Sequence, residues 1–491
     1  MIFDKKYIIH QISHITHQRK MSSIPVKKVS FNTAIAVVVA NMIGAGVFTS
    51  LGYQTIVKIT ENGTIIVNSI FPLLMLWIVG GVIALCGALN YGELAALMPR
   101  SGGEYNFLSR IYHPLVGFVS GWISATVGFA APVALAAVAL GRYASAIIPI
   151  NPLIISISVV VLVTLVHATD TRTGGIFQRY STAIKVILIL FLIFSGLIFT
   201  AEPVPISVLP KEGDMSLIFF GGFATNLAYV SFAYSGWNAS AYLANEIENP
   251  KVNVPKSLFL GTLSVMLIYV LLTFVFLYTV PVSELAAGQA ADFSKPLEVG
   301  HLSAEKIFGK SGGNLMAGMI ALLLISSISA MVFAGPRVTQ MIGEDFPLLK
   351  KFATTNEKGV PVIAIMVQAI ISIALILTAS FDTVLKAMAF VLDIFTFLAV
   401  LGVIILRIKQ PNAERSYKAW GYPITTLIFL VSIAWVMYFL FMKDILPSIE
   451  VLLFLKETKN YVADSIPAIL SFGAILSGIL VYFVNKKMEN K

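Results

Sequence analysis

Gly44 and Gly46 stand one residue apart in the run Asn41-Met-Ile-Gly-Ala-Gly-Val-Phe-Thr49, in the middle of a hydrophobic stretch. Each glycine costs about 1 kcal/mol of helix propensity relative to alanine, so the pair marks a break. Main-chain groups freed at membrane depth persist only where they line a cavity or bind something. The chemistry on offer is recognition by backbone donors and acceptors. A second interruption, Phe232-Ala-Tyr-Ser-Gly-Trp-Asn238, also lies inside an apolar span. Two broken helices in corresponding halves of a chain are the strongest sequence pointer to a transporter's substrate site.

Ionisable groups inside spans are rare and costly, which makes each a functional candidate. Lys185 lies in Ser181-Thr-Ala-Ile-Lys-Val-Ile-Leu188, in the first turns of a span. It either acts in coupling or snorkels to the interface. Glu93 and Glu246 sit near span ends and are inner-gate candidates, pairing with loop arginines such as Arg100 or Arg179; simple structural ion pairing is the alternative. Asp393 lies deeper, in Val391-Leu-Asp-Ile-Phe395. Lys386 precedes it on the same helix face, roughly 10 Å away along the axis, a long reach for a direct pair. Hydroxyls at Ser326, Ser327 and Ser329 either line a cavity or bond back to their own helix.

The elements that must carry these residues are membrane helices. The chain has 491 residues, of which 57% are hydrophobic and 12% charged. Soluble domains carry about 25% charged residues. Apolar runs long enough to cross a roughly 30 Å hydrocarbon core recur along the length. Twelve spans are expected, at 31–52, 71–98, 115–141, 152–169, 179–200, 217–245, 257–280, 314–336, 361–379, 384–407, 421–442 and 464–485. The fold class is an all-α polytopic membrane protein. No soluble domain is expected; the segment 281–313 is polar and should contain a short surface helix, and 100–110 reads as a turn plus an interfacial helix.

The net charge of +9 reflects the membrane rather than nucleic acid. With the N-terminus inside, tails and even loops hold 23 Lys and Arg against nine in the odd loops. Positive-inside bias then places both termini in the cytoplasm. Residues 1–30 form a basic cytoplasmic tail without a cleavable signal, perhaps preceding a start at Met21. Its His10, His14 and His17 share a helical face; a polar tail explains them better than a metal site. Cys86, the single cysteine, reads as a small core residue. No cofactor or metal is expected.

Spans one to five and six to ten align with a break in the first span of each set. Five is odd, so the second set is inserted upside down, giving an inverted five-plus-five repeat with two extra helices. Repeat one covers about 31–200, repeat two about 217–407, and the extra helices 421–485, within a membrane domain of 31–485; residues 486–491 are a short cytoplasmic tail.

At this point the motifs resemble a known group. Asn41–Thr49 resembles the first-helix motif of the amino acid–polyamine–organocation superfamily. Gly80-Gly-Val-Ile-Ala-Leu-Cys-Gly-Ala-Leu-Asn-Tyr-Gly-Glu-Leu-Ala-Ala-Leu-Met-Pro-Arg-Ser-Gly-Gly-Glu-Tyr105 is similar to its second-helix signature. Phe232–Asn238, followed by Asn245-Glu-Ile-Glu-Asn-Pro250, resembles the sixth helix of the L-type amino acid transporter branch. The resemblance implies a LeuT-like fold and secondary transport of amino acids.

It also implies residue roles. Gly44, Ala45 and Gly46 would present N–H groups to a substrate carboxylate, as the positive end of a broken helix favours. Carbonyls of Met42, Ile43, Phe232 and Ser235 would hold the ammonium group. Phe232 falls at an aromatic lid, and Trp237 and Asn238 are further pocket candidates. Lys185 falls where sodium-coupled relatives hold a cation, so it is the candidate for proton coupling or for a fixed substitute for that ion. Two departures stand out: Ala45 replaces a common serine, and Ser235 stands where the branch often has glycine.

The expected function is secondary active transport of amino acids by alternating access, through proton symport or exchange. Transport of polyamines or other organic cations, and a non-transporting amino acid sensor, are the alternatives. A channel lacks its repeated pore motif, and neither a phosphate loop nor a His pair supports an enzyme. Brief loops suggest a bacterial inner membrane. Expected partners are an amino acid, protons in the symport case, and the lipid bilayer, with the chain as monomer or homodimer.

Overall fold

The computed structural model describes residues 29–44, 46–54, 57–60, 63–66, 70–145, 147–169, 171–207, 209–212, 214–218, 221–285, 299–378, 381–453 and 461–489. The histidines of the basic tail, Ala45 and the side chain of Lys386 lie outside the described residues.

Helix α1 (Phe31–Met42) begins at Ser30, whose hydroxyl accepts from the Thr33 N–H at 3.4 Å. It resumes as α2 (Gly46–Tyr53) beyond the glycine pair. Next come strands β1 (Val57–Thr60) and β2 (Gly63–Ile66), then α3 (Ile70–Leu97) and the short α4 (Glu104–Ile111). Helix α5 (Pro114–Ser145) starts where Pro114 occupies the first turn and His113 Nδ1 accepts from Leu115 N–H, and it contains one π-helical turn over Ser124–Gly128. Proline suits that first turn because its missing N–H would be unpaired there anyway.

Helices α6 (Pro152–Thr169) and α7 (Thr171–Phe199) complete the first five spans. The sixth is split into α8 (Gly221–Tyr234) and α9 (Ala239–Tyr242). Asn249, at φ 43°, turns the chain into α10 (Pro250–Thr279). Helix α11 (Val299–Asp345) is kinked at Gly309, which separates a surface segment from the spanning part. Helices α12 (Val362–Thr378), α13 (Phe381–Lys409), α14 (Ile424–Leu452) and α15 (Ser465–Met488) follow.

Among the described residues, nine helices are long and apolar enough to cross a membrane, and α1 and α12 are shorter apolar helices. With the split α8–α9, every expected span has a helix. The departure from an all-α chain is the antiparallel hairpin β1–β2, in register from Val57 opposite Ile66 to Thr60 opposite Gly63. Its β-branched residues favour the extended state, a local preference that an apolar-span search overlooks.

Packing pairs the two halves reciprocally. Helix α3 lies against α10, α5 against α11, and α6 against α12, each beside its own counterpart. The α1–α10 contact is mirrored by α8–α3, the α7–α10 contact by α13–α3, and the α1–α7 contact by α8–α13. Exchanging the halves exchanges the partners, as a pseudo-two-fold axis requires. Helix α14 packs on α13 and α3, and α15 on α5. Leu162, Leu165, Ile187, Phe194 and Ile198 on α6 and α7 are exposed, as a lipid-facing surface would be. Cys86 is buried in the core.

Candidate functional site

The last carbonyls of a helix have no partner within it and carry the negative end of its dipole. Helix α1 ends inside the protein, so those groups need donors. Lys185 Nζ, fully buried on α7, donates to Ala40 O at 3.2 Å, to Ile43 O at 2.6 Å and to Ser327 Oγ at 2.8 Å. Ser327 Oγ in turn donates to Ile43 O at 2.6 Å. All three ammonium protons are thereby used, and both acceptor positions of the Ile43 carbonyl are filled. Tyr269 on α10 donates its hydroxyl to Met42 O at 2.6 Å and Ala233 O at 3.1 Å, bridging the two breaks.

The breaks also touch directly. A Cβ on Gly46 would stand 2.7 Å from Ala233 Cα and 2.8 Å from its Cβ, so only glycine lets α2 approach α8 this closely. Gly236 adopts φ 94°, a left-handed value that suits glycine. A Cβ there would stand 2.9 Å from Asn41 Cβ. Gly44 differs: its nearest obstacle is Met42 O at 4.0 Å, and it faces open space.

That space is a small cavity of about 20 Å³, lined by Met42, Gly44, Gly46, Phe232, Ala233 and Ser235 among others. It has room for about one water. A larger cavity of about 110 Å³ adjoins it, and Asn41, Pro132, Ser235 and Met331 line both. Trp237, Asn238, Glu104 and Asp393 line the larger one, as do Ser124 and Gly128 from the π-helical turn of α5. π-turns commonly occur at such sites.

Aromatic side chains close the α2 side. Trp77 Nε1 donates to Gln54 Oε1 at 3.0 Å, Tyr234 Oη to Trp77 O at 3.0 Å, and the Trp77 ring meets Tyr269 edge-on at 5.4 Å. Polar ties close the opposite side. Glu93 accepts from Arg407 through both oxygens (3.0 and 2.6 Å), from Arg415 Nε at 3.1 Å and from Ala419 N–H at 2.7 Å. Glu246 pairs with Arg337 at 3.4 Å, and Arg100 with Asp345 at 2.8 Å. Val29 bridges residues 246–248, accepting from Glu248 N–H at 3.0 Å and donating to Glu246 O at 2.7 Å.

The arginine partners expected for Glu93 and Glu246 need correction. Arg100 goes to Asp345, and Arg179 lies over the Tyr180 ring, because a carboxylate near a span end takes the cation that tertiary packing delivers. For Glu93 that is Arg407, 314 residues away. The Ile43 carbonyl, expected to face a substrate ammonium, has both acceptor positions engaged by Lys185 and Ser327. Met42 O is engaged by Tyr269 on one side. Lys185 is buried at the α1 break rather than reaching an interface.

Phe232 and Ser235 flank the smaller cavity, Trp237 packs edge-on against Tyr91 at 4.6 Å, and Asn238 donates to Glu104 Oε1 at 2.6 Å. Of the serine cluster, Ser327 joins Lys185 and Ser329 bonds His167 at 2.8 Å. Sequence reasoning missed Tyr269 and Glu104. Tyr269 is a lone hydroxyl in an apolar span, and a polar atom at that depth is itself a signal. Glu104 reads as part of an interfacial turn until its burial is seen.

Comparison with known proteins places residues 29–485 in a match to the family model described as amino acid permease. The chain is similar to the b(0,+)-type amino acid transporter 1 of Mus musculus, with 24% identity over 85% of this chain and 84% of the relative. It is similar to the serine/threonine exchanger SteT of Bacillus subtilis (strain 168), with 25% identity over 82% of this chain and 88% of the relative. Similarity also extends to the large neutral amino acids transporter small subunit 2 of Mus musculus, with 26% identity over 82% of this chain and 75% of the relative.

Proposed function

The chain belongs to the amino acid permease family, and from that premise we propose that it exchanges amino acids across a plasma membrane through the two abutting helix breaks. The observation that carries this reading is the polarity of the first break. Its negative pole, the end of α1, is fully capped by Lys185, Ser327 and Tyr269. Its positive pole, the start of α2, opens on the smaller cavity beside Gly44 and Gly46. A substrate carboxylate suits those N–H groups. The carbonyls of Phe232 and Ser235, with the free acceptor position of Met42, suit the ammonium, and Phe232 suits a lid; its ring would add about 0.5–2 kcal/mol of cation–π attraction.

Alternating access then requires the polar ties around Glu93, Glu246 and Arg100 to open while the aromatic seal around Trp77 holds, and the reverse. The charge distribution among loops supports cytoplasmic termini, which makes the polar ties the inner gate. Lys185 acts as a fixed cation at the break. Exchange is favoured over proton symport because its three protons are all engaged and the printed activity of one relative is exchange.

The test is counterflow in proteoliposomes. Labelled L-serine and L-leucine should enter at least several-fold faster when unlabelled amino acid is inside. Equal uptake into empty vesicles under an imposed pH gradient would replace exchange by symport. Uptake of no amino acid under either condition would overturn the reading.

In the same assay Tyr269→Phe should slow exchange about tenfold at equal reconstituted protein. The change removes one oxygen and leaves two buried carbonyls short of a donor, a loss of about 1–3 kcal/mol. A rate within twofold of the parent would show that the bridge between the breaks is dispensable.

A further inference from the structure

The larger cavity has an acidic wall that exchange of a neutral amino acid does not need. Glu104 is 4% exposed. Its Oε1 accepts from Tyr91 Oη at 2.8 Å and Asn238 Nδ2 at 2.6 Å, while its Oε2 is buried without a hydrogen-bond partner. Asp393 on α13 lines the same cavity, and its Oδ2 is likewise buried and unpartnered. The other titratable residues on that wall are Tyr234 and Tyr242; no lysine, arginine or histidine is among the described residues that line it. Two carboxyl groups, each with an unmet acceptor and no basic neighbour on the wall, leave an unfilled demand for a positively charged donor.

We propose that this cavity is a subsite for the side-chain cation of a dibasic amino acid, an ammonium or guanidinium group received by Glu104 Oε2 and Asp393. The proposal rests on the transport reading above, which seats the substrate's own ammonium and carboxylate at the helix breaks. Because the two cavities share Asn41, Pro132, Ser235 and Met331, a side chain leaving the breaks enters the larger one. Ile83, Leu392 and Phe395 line the way and suit a methylene stem, while its head reaches the carboxylates. At about 110 Å³ the cavity holds several water-sized groups, enough for such a head. Glu104 is also tied to Asn238 in the second break, so a cation on its free oxygen is sensed where the sixth span is interrupted.

L-Lysine and L-norleucine separate the charge from the chain, since norleucine has the same stem without the amine. Each is titrated as a competitor of the labelled amino acid that the counterflow assay shows to exchange, in the parent protein, Asp393→Asn and Glu104→Gln. In the parent, lysine should compete. In each variant its half-inhibitory concentration should rise at least tenfold relative to that of norleucine. Asp393→Asn is the decisive variant if Glu104→Gln, which also disturbs Tyr91 and Asn238, does not assemble. Norleucine competing while lysine does not, or an unchanged lysine-to-norleucine ratio in Asp393→Asn, would overturn the subsite and leave the transport reading standing. Absence of exchange for every amino acid would overturn both.

Discussion

Replacing Lys185 by methionine is expected to reduce amino acid exchange by about two orders of magnitude while leaving protein in the membrane. Methionine keeps the length and apolar stem of lysine and removes the ammonium. Ala40 and Ile43 then lose charge-assisted hydrogen bonds at 3.2 and 2.6 Å, and Ser327 loses a donor. Bonds of this kind contribute about 1.5–3 kcal/mol each. A loss of about 3 kcal/mol in organisation of the break corresponds to somewhat over a hundredfold in rate or affinity. Lys185→Arg should not rescue, because a planar guanidinium needs more room and cannot replace three convergent protons. Initial rates per reconstituted protein, with yield checked by gel filtration in detergent, decide the matter. Parent-like exchange by Lys185→Met would remove the ammonium from the working site.

Gly46→Ala is expected to lower exchange at least tenfold, and Gly46→Leu to abolish it. The new Cβ would sit 2.7 Å from the main chain of Ala233, where no rotamer change relieves it. Overpacking of this kind costs about 1–3 kcal/mol, and here it pushes apart the two segments that form the smaller cavity. The control is built into the contact. Ala233→Gly restores room, so Gly46→Ala/Ala233→Gly should recover most of the lost rate, as coupling between touching residues predicts. Gly44→Ala should lose less than Gly46→Ala, since 4.0 Å of clearance separates its Cβ from Met42 O. Equal losses at both glycines, with no recovery in the double variant, would show that steric closeness to α8 is not what Gly46 provides.

The framework was legible because the bilayer enforces simple rules. Long apolar runs mark spans, and glycines close together in such runs mark breaks. Lys185 could be singled out because a charge at depth is rare, and local sequence sufficed to find it. Its acceptors could not be assigned residue by residue, since Ser327 lies 142 residues away and its neighbours Ser326 and Ser329 carry the same hydroxyl. The partners of Glu93 were illegible for the same reason: many arginines fit by type, and only packing selects Arg407 and Arg415. Ile43 shows a subtler limit. Its carbonyl lies at the break, as the motif implies, yet whether it faces a solute or the protein depends on the α7 and α11 side chains brought against it. Glu104 was hidden by its setting, in a turn whose burial comes from contacts with α3 and α9.

The ammonium of Lys185 belongs to the protein, and that ownership sets what the protein can accomplish energetically. A freely bound ion enters on one side, leaves on the other, and carries the free energy of its gradient into the cycle. A cation held on a side chain returns with every turnover and transfers none. On the exchange reading, concentration of one amino acid is then driven solely by depletion of another, and at steady state the inside-to-outside ratios of the two become equal. Such a protein redistributes the composition of an amino acid pool without changing its total.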